Sequence, residues 1–582
     1  MNIYELEVLK LIASVDYSNQ RFIAEATSFS LGKVNEAIKS LVKKGYLASD
    51  FHLTKQAKDF LRRSRPDSAI ILAAGFGLRM IPINNEVPKA LLEINGEILI
   101  ERLLKQLHAV GVTNIYIVVG FQKDKFEFLI DKYNVELIYN PSYVTKNNLS
   151  SLELVSDKIS NSYIIPGDIW SKENPFSKYE LYSWYLISEE LEAESNIKLN
   201  RQRKLVTIKS NKLGQKMLGI AYLLGKNVID LKLRLNELVR NENYNNEFWE
   251  KALFSFKYSE PIYGKLTKPE TVYEINTYEQ LRELDNSSKN LLSKTVKLIS
   301  REMKIPTSDI LNISLLKQGM TNHSFKFKVN ADTFIMRLPG EGTEKLINRS
   351  QEYQVYQVIK SAELSDEVIY IDPKSGIKIS KFIENARVSD PFKKSDVKAV
   401  MAKLREFHNM KLQVDHSFDV FEKIEYYEKL WQGEKSIFLD YQTTKNNIWK
   451  LKKVIAQFPK EWVLTHIDAV PDNFIFADDR IYLIDWEYAA MQDPHLDIAM
   501  FAIYSLYNKK QVDSLIDAYF IEGCSKDNRI KIYAYIAMCG LLWSNWCEYK
   551  RTYGVEFGEY SLRQYRYAKD FYKLLKSEFV GL

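Results

Sequence analysis

In its last third the chain reads Leu464-Thr-His-Ile-Asp-Ala-Val-Pro-Asp-Asn-Phe-Ile-Phe, followed shortly by Leu483-Ile-Asp-Trp-Glu-Tyr. No other stretch restricts the possible folds as tightly. The spacing His-x-Asp-x-x-x-x-Asn is closed by a run that ends in Asp485. The apolar runs around it (Trp462-Val-Leu, Phe474-Ile-Phe, Ile481-Tyr-Leu-Ile) read as short strands that hold the polar groups rigidly. Phosphoryl transfer needs such parts. Asp468 can take the proton of an attacking hydroxyl, and Asn473 and Asp485 can keep Mg²⁺ against the phosphates of ATP. A polar turn between buried strands is the plain alternative, but two separate pieces in the right order favour the catalytic reading. His466 is expected to orient the loop backbone and not to act as a base.

A chain of 582 residues exceeds what one hydrophobic core spans. A net charge of +6 is small for that length and does not by itself point to nucleic acid. Three cysteines (Cys524, Cys539, Cys547) make no disulfide framework and fit a reducing compartment. The start, Met-Asn-Ile-Tyr-Glu-Leu-Glu, is acidic where a signal peptide needs basic residues. No apolar run approaches the ~20 residues that span a bilayer. The expectation is a cytoplasmic protein without membrane insertion. Oligomeric state is left open.

The expected fold class is multidomain α/β and α+β, divided into residues 1–65, 66–288 and 289–582. In the first part Leu6, Leu9 and Ile12 keep helical spacing, and Ser30 reads as the N-cap of a helix carrying Ile38, Leu41 and Val42. A short hairpin and a last helix follow. This order resembles a winged helix-turn-helix domain, whose third helix would offer Lys33, Lys39, Lys43 and Lys44 to DNA. A helical module that packs on its neighbours is the competing reading.

From Ser68 strands alternate with helices, which implies a mainly parallel, Rossmann-like sheet with ligand at the C-terminal strand ends. The first strand runs into Leu72-Ala73-Ala-Gly75-Phe-Gly77-Leu-Arg79, and Pro88-Lys89-Ala-Leu follows. The glycines admit a phosphate chain to the backbone, and Arg79 and Lys89 supply cations. These motifs, with Val118-Val-Gly-Phe, Tyr139-Asn-Pro-x-Tyr, Asn147-Asn148 and Val272-Tyr-Glu-Ile-Asn, resemble the nucleotidyltransferase family, most closely its bacterial CTP:phosphocholine cytidylyltransferases. The resemblance implies that phosphocholine attacks the α-phosphorus of CTP and pyrophosphate leaves. It implies nucleotide contacts from Ala73, Gly75, Gly77, Arg79 and Lys89, of which Arg79 and Lys89 are catalytic, and metal contacts from Asp168 and Glu274. Asn276 stands where that family has an Asp, so one negative charge is missing. Trp170, Tyr182, Trp184, Phe248 and Trp249 are available to face a trimethylammonium group.

The region before the catalytic motif supplies the other kinase parts. A strand-turn-strand through Gly319-Met-Thr321-Asn322 can cover ATP phosphates, Arg337 on the next strand can meet them, and Glu352 on a helix can pair with Arg337. Ile377-Lys-Ile-Ser-Lys reads as the hinge strand. Together with Ile484-Asp-Trp-Glu-Tyr-Ala-Ala-Met-Gln-Asp-Pro-His-Leu-Asp497, these parts resemble the choline/ethanolamine kinase family, whose bilobal, protein-kinase-like fold is shared with aminoglycoside phosphotransferases. The resemblance assigns Trp543, Trp546, Tyr560 and Glu487 to the choline pocket. Two packed tryptophans in a helical core are the plain alternative.

The combined reading is a bifunctional enzyme. It would phosphorylate choline with ATP and join phosphocholine to CTP, giving CDP-choline, with Mg²⁺ at both sites. The alternatives are the same reactions on ethanolamine or an aminophosphonate, and a DNA-binding regulator whose transferase domains sense metabolites.

Overall fold

The computed structural model of the chain describes residues 1–578 apart from 16–18, 209–211, 319–321, 341, 432, 434, 479, 554 and 556. It divides into two compact units, Met1–Lys297 and Leu298–Leu582.

The first unit opens with four helices: α1 (Ile3–Ser14), α2 (Gln20–Thr27), α3 (Leu31–Lys43) and α4 (Lys55–Arg63). Each start is capped by a polar side chain: Asn2, Asn19, Ser30 and Thr54 accept from the first turns of their helices. Between α3 and α4 the expected hairpin is reduced to a single bridge, Leu47–Leu53. Two of the four lysines proposed for DNA are spent within the module. Lys33 donates to Tyr4 Oη at 2.7 Å, and Lys44 pairs with Glu5 at 2.6 Å.

The rest of this unit is built on a seven-stranded sheet. Its order is Tyr263–Thr267, Trp184–Glu192, Gly214–Leu223, Ser162–Pro166, Ser68–Ala73, Ile115–Val119, Glu136–Tyr139. The strand Ser68–Ala73 runs parallel to both neighbours, and its residues Ala69–Ile71 are fully buried. Gly214–Leu223 alone runs against its neighbours, so the sheet is mixed and mostly parallel. The chain leaves Ser68–Ala73 toward one edge and returns at Ser162–Pro166 on its other side. This switch point opens a crevice at the C-terminal strand ends, where Gly75, Gly77 and Asp168 follow directly. A second, two-stranded ladder pairs Ile169–Ser171 with Val272–Glu274 and sets Glu274 opposite Ile169, next to Asp168.

The polar stretch Asp285–Asn290, expected to be a linker, is bonded to this unit. Asp285 accepts from Asn95 N at 2.7 Å, Asn290 accepts from Glu93 N at 2.8 Å, and Ser288 donates to Glu93 O at 2.7 Å. This stretch lies within the first compact unit, which runs to Lys297. Its asparagine and serine side chains, which suggest a loose tether by composition, here satisfy the backbone of a neighbouring turn.

The second unit has a five-stranded antiparallel sheet ordered Leu311–Gln318, Asn322–Val329, Asp332–Pro339, Lys378–Lys381, Val368–Ile371, with the helix Arg349–Ile359. A larger helical part follows, threaded by the helix Lys526–Arg551. Residues Ile530 to Lys550 of this helix are all buried, as in a core strut. Among the described residues no helix is long and apolar enough to cross a membrane.

Candidate active sites of the two units

In the second unit the catalytic motif forms a loop between the strands Val463–Thr465 and Phe474–Ala477. Ile467, beside Asp468, has φ +68°, a strained value for a β-branched residue. Asp497, fully buried in the first turn of the helix His495–Tyr504, holds it there. Its carboxylate accepts from His466 N at 2.9 Å and Ile467 N at 2.8 Å, and it is in turn met by His408 Nε2 at 3.0 Å. His466 Nε2 reaches Ile484 O at 3.0 Å, which ties the loop to the backbone beside Asp485. Burial pulls His466 down to about 4, so it is neutral near pH 7 and unsuited to act as a base.

Asn473 donates to Asp468 O at 2.8 Å and to Asp468 Oδ2 at 3.2 Å, which leaves the amide oxygen of Asn473 for another partner. Burial, and then the charges of Asp485 and Glu487, push Asp468 up to about 8. A site that repels its own negative charge in this way is built for cations. Arg337 pairs with Glu352 at 2.6 Å and Asp485 at 3.4 Å, and donates to Gly376 O at 2.8 Å. The expected Arg337–Glu352 pair is therefore present. Beside it stands Arg349, which sequence reading missed and which binds both Glu352 at 2.8 Å and Glu487 at 3.0 Å. Its signal was its position three residues before Glu352 at the start of the same helix. Burial alone would raise Glu352, but the two guanidiniums outweigh it and hold the carboxyl below its usual range. Asn322 also donates to Glu487, at 3.1 Å. Glu487, expected to add charge near the choline ammonium, is buried with Arg349 and Asn322 as partners and Arg337 3.8 Å away. Thr321 lies outside the described residues.

Aromatic rings gather around Asp468. Trp543 and Trp546 stand edge to face at 5.6 Å, Tyr488 meets Trp543 at 5.6 Å, and Tyr504 meets Tyr560 at 6.0 Å. Burial raises the phenols of Tyr427, Tyr488, Tyr504 and Tyr560, and the nearby charge of Asp468 adds to each. Trp543 and Trp546 are themselves 6% and 3% exposed, so both also belong to the core. The Lys550 ammonium already lies 5.9 Å from the centre of the Trp546 ring. Tyr427 and Tyr504 carried no sequence signal, since the fold brings them from separate helices, whereas Tyr488 lies in the quoted run that follows Asp485.

In the first unit Gly77 adopts φ +63°, and a Cβ on it would sit 3.4 Å from Lys89 Cβ, so the turn and Lys89 are closely packed. Lys89 Nζ pairs with Asp168 and donates to Asn276 Oδ1 at 2.7 Å. Arg79 is exposed beside this turn, and its charge acts on Glu274. Burial and then the charge of Asp168 raise Glu274, and a hydrogen bond with Asn276 opposes this. Asn276 thus bonds to both Lys89 and Glu274, where a carboxylate would have repelled Glu274.

The donor sets suit a divalent cation that completes its shell elsewhere. Asp168 Oδ1 is buried without a hydrogen-bond partner, and Glu274 stands beside it. Among the described residues no three acidic, His or Cys side chains could hold a metal by themselves. Magnesium commonly takes one or two carboxylates plus substrate phosphates and water.

The aromatic residues suggested for the acceptor mostly serve other ends. Trp184 and Trp249 are fully buried, Tyr182 donates to Glu7 in α1 at 2.5 Å, and Trp170 has Arg102 over its ring at 5.2 Å. Glu250, which sequence reading missed, accepts from Tyr185 Oη at 3.1 Å, while its Oε2 is buried without a partner. Burial, and then Glu274 and Asp168, raise it to about 7. The motif Asn147-Asn148 places it: Asn148 Oδ1 accepts from Trp249 N at 2.8 Å, and Asn147 donates to Asn246 O at 3.1 Å.

Comparison with known proteins finds similarity in part of each unit. Residues 313–523 match choline/ethanolamine kinase, and residues 69–169 match the MobA-like NTP transferase domain. Protein LicA of Haemophilus influenzae is 30% identical over 267 residues, 42% of this chain and 96% of that protein. The choline-phosphate cytidylyltransferase of Streptococcus pneumoniae is 28% identical over 225 residues, 38% of this chain and 98% of that enzyme. The 2-aminoethylphosphonate cytidylyltransferase of Lancefieldella rimae is 29% identical over 191 residues, 31% of this chain and 77% of that enzyme.

Proposed function

Because the chain belongs, through residues 313–523, to the choline/ethanolamine kinase family and carries a cytidylyltransferase-like domain before them, we propose that this transferase makes CDP-choline in two steps. The observation that carries the reading is the meeting of Asp468, Asn473 and Asp485 at one loop among the rings of Tyr427, Tyr488, Tyr504 and Tyr560. A quaternary ammonium donates no hydrogen bonds and is held by ring faces, while Asp468 stands at the hydroxyl end and would be ionised once a bound cation offsets the charges that raise it. Asp468 would take the proton of that hydroxyl as its oxygen attacks the γ-phosphorus of ATP and ADP leaves. Asn473 and Asp485 would hold Mg²⁺ there, as Asp168 and Glu274 would in the first unit. When bound, Mg²⁺ neutralises phosphate charge as it develops. In the first unit a phosphate oxygen of phosphocholine would attack the α-phosphorus of CTP and displace pyrophosphate. Arg79 and Lys89 would bind the triphosphate, and the unpaired oxygen of Glu250 would face the cationic end of the acceptor.

That last feature supports a second reading for the first unit alone. A carboxylate receives a primary ammonium at least as well as a quaternary one, and a relative acts on 2-aminoethylphosphonate. Incubation with ATP, CTP, Mg²⁺ and a panel of amino alcohols and aminophosphonates, read by mass spectrometry, separates these. CDP-choline from choline supports the first reading. A cytidylyl product from an aminophosphonate, with phosphocholine inert, replaces it.

A further inference from the structure

The N-terminal module holds none of the motif residues, yet a buried charge joins it to the sheet of the first unit. Glu180 lies on the segment between the strands Ile169–Ser171 and Trp184–Glu192, and its side chain is 0% exposed. Tyr163 Oη donates to it at 2.9 Å and Trp184 Nε1 at 3.0 Å. Among the described residues the cation paired with it is Lys10 of α1, at 2.6 Å. Lys265, the other buried amine nearby, is turned to Pro175 O at 2.5 Å and to the face of Trp184.

The surrounding contacts repeat the connection. Leu181 belongs to the hydrophobic core of the module, Tyr182 donates to Glu7 at 2.5 Å, and Arg203 lies 4.6 Å from the ring centre of Phe29 and donates to Thr27 O at 3.3 Å. The same segment is tied to the candidate site at its start and through Tyr163. It follows the strand after Asp168 that pairs with the strand of Glu274, and Tyr163 sits on the strand that leads into Gly167-Asp168. Lys10 therefore neutralises a carboxylate whose hydrogen bonds brace the backbone carrying Asp168.

We propose that Lys10 is a positioning residue for nucleotidyl transfer. Through Glu180 the docked module holds the Asp168 strand in the form that binds CTP, and any event that loosens the module weakens CTP binding. This rests on the reading of the first unit as a cytidylyltransferase. The kinase of the same chain contains no part of the linkage and reports on folding. Breaking a buried pair from one side strands a charge, whereas removing both charges does not.

The test uses the full chain and four variants: Lys10→Met, Lys10→Arg, Glu180→Gln and the double variant Lys10→Met/Glu180→Gln. Lys10→Met is expected to raise the KM for CTP within the roughly 5- to 150-fold range of coupled sites, with choline phosphorylation unchanged. Lys10→Arg should retain near-native KM, and the double variant should recover most of the loss. Because coupling is reciprocal, CTP should slow amide hydrogen exchange in residues 3–14 of the wild type and not of Lys10→Met. If calorimetry shows CTP binding while exchange in α1 and the KM of Lys10→Met stay unchanged, the inference is overturned and the cytidylyltransferase reading stands. If the wild type fails to bind CTP, that reading is overturned and this inference with it. If Lys10→Met loses both activities together with its cooperative melt, Lys10 is a stability residue and the inference is overturned.

Discussion

Asp497→Asn isolates what the catalytic loop of the second unit requires. The two carboxylate oxygens of Asp497 hold His466 N and Ile467 N at 2.9 and 2.8 Å, and Ile467 keeps φ +68°. Asparagine has one acceptor, so its amide nitrogen would be set against a backbone N–H. One charge-assisted bond, worth about 1.5–3 kcal/mol, is lost, and a donor then faces a donor. A left-handed non-glycine residue carries about 1–3 kcal/mol of strain, which those bonds restrain. A loss of about 3 kcal/mol is thus enough to release the loop and corresponds to ~10²-fold in rate. Asp497 touches neither substrate, so kcat for choline phosphorylation should fall by that factor with little change in the KM for ATP. Cytidylyl transfer by the same preparation should be unaffected. Release of ADP and of pyrophosphate, followed separately on one sample, gives both numbers. Kinase turnover within about threefold of wild type would refute the argument, since it corresponds to under ~1 kcal/mol. So would a proportional loss of both activities.

Other variants divide the chemistry further. Asp468→Asn should lose ~10²–10⁴ in choline phosphorylation, as expected for a missing general base, and keep cytidylyl transfer, whereas Lys89→Ala should do the reverse. A folded variant lacking both would overturn the division into two sites. Trp546→Phe should raise the KM for choline severalfold, up to ~tenfold, with the KM for ATP unchanged. The alanine variant is a poorer test, since emptying a buried tryptophan site costs about 3–5 kcal/mol of stability and would lower Tm. Glu250 is neutral below its pKa of about 7 and charged above it, so the KM for phosphocholine should fall as pH rises through that value, and Glu250→Gln should flatten the profile. The folded protein keeps a proton that the unfolded chain releases from 4.5 upward, so Glu250 lowers stability progressively up to about 7, and Glu250→Gln should melt higher than wild type above it.

The parts legible in sequence were those whose spacing is itself the chemistry. Asp468 and Asn473 sit on one loop, Asp485 follows the hairpin Phe474–Ala477/Arg480–Leu483 that comes after it, and Gly75, Gly77 and Arg79 follow one strand, so local order sufficed. Arg337 and Glu352 were also legible, because a cation on a strand and an acid on the next helix are a recurrent pair. Residues assembled from distant elements were not. Tyr427 and Tyr504 meet near Asp468 from separate helices, and neither has local context to mark it. Glu250 reads as an ordinary surface acid at the start of a helix, and only its burial and its idle oxygen single it out. The partner of Glu487 was hidden for the converse reason: its position two residues after Asp485 gave it a neighbourhood, but not the Arg349 side chain that binds it. The bridge Leu47–Leu53 shows the same limit for fold, since the run Leu-x-x-x-Phe-x-Leu suits a full hairpin as well as a single pair.

Under the proposed function the two sites would meet the same cationic group with different chemistry, with a consequence for their order of selectivity. The second unit offers ring faces, whose attraction survives when the ammonium has no proton to donate. The first unit offers the Glu250 carboxyl, which burial raises to about 7, which accepts one hydrogen bond from Tyr185, and whose Oε2 is buried without a partner. A buried acceptor without a partner favours ligands that donate to it, so the first unit should discriminate poorly against primary amines or even prefer them. Selection for choline in a two-step sequence would then rest on the kinase, which commits the amino alcohol before it becomes a phosphate ester. Competition assays make the asymmetry measurable. The ratio of kcat/KM for choline over ethanolamine at the kinase should exceed the ratio for phosphocholine over phosphoethanolamine at the cytidylyltransferase. Glu250→Gln should move the second ratio toward the quaternary substrate, because the amide no longer rewards a donor with charge. Equal ratios at both sites, or a second ratio that Glu250→Gln leaves in place, would show that a contact other than Glu250 reads the ammonium.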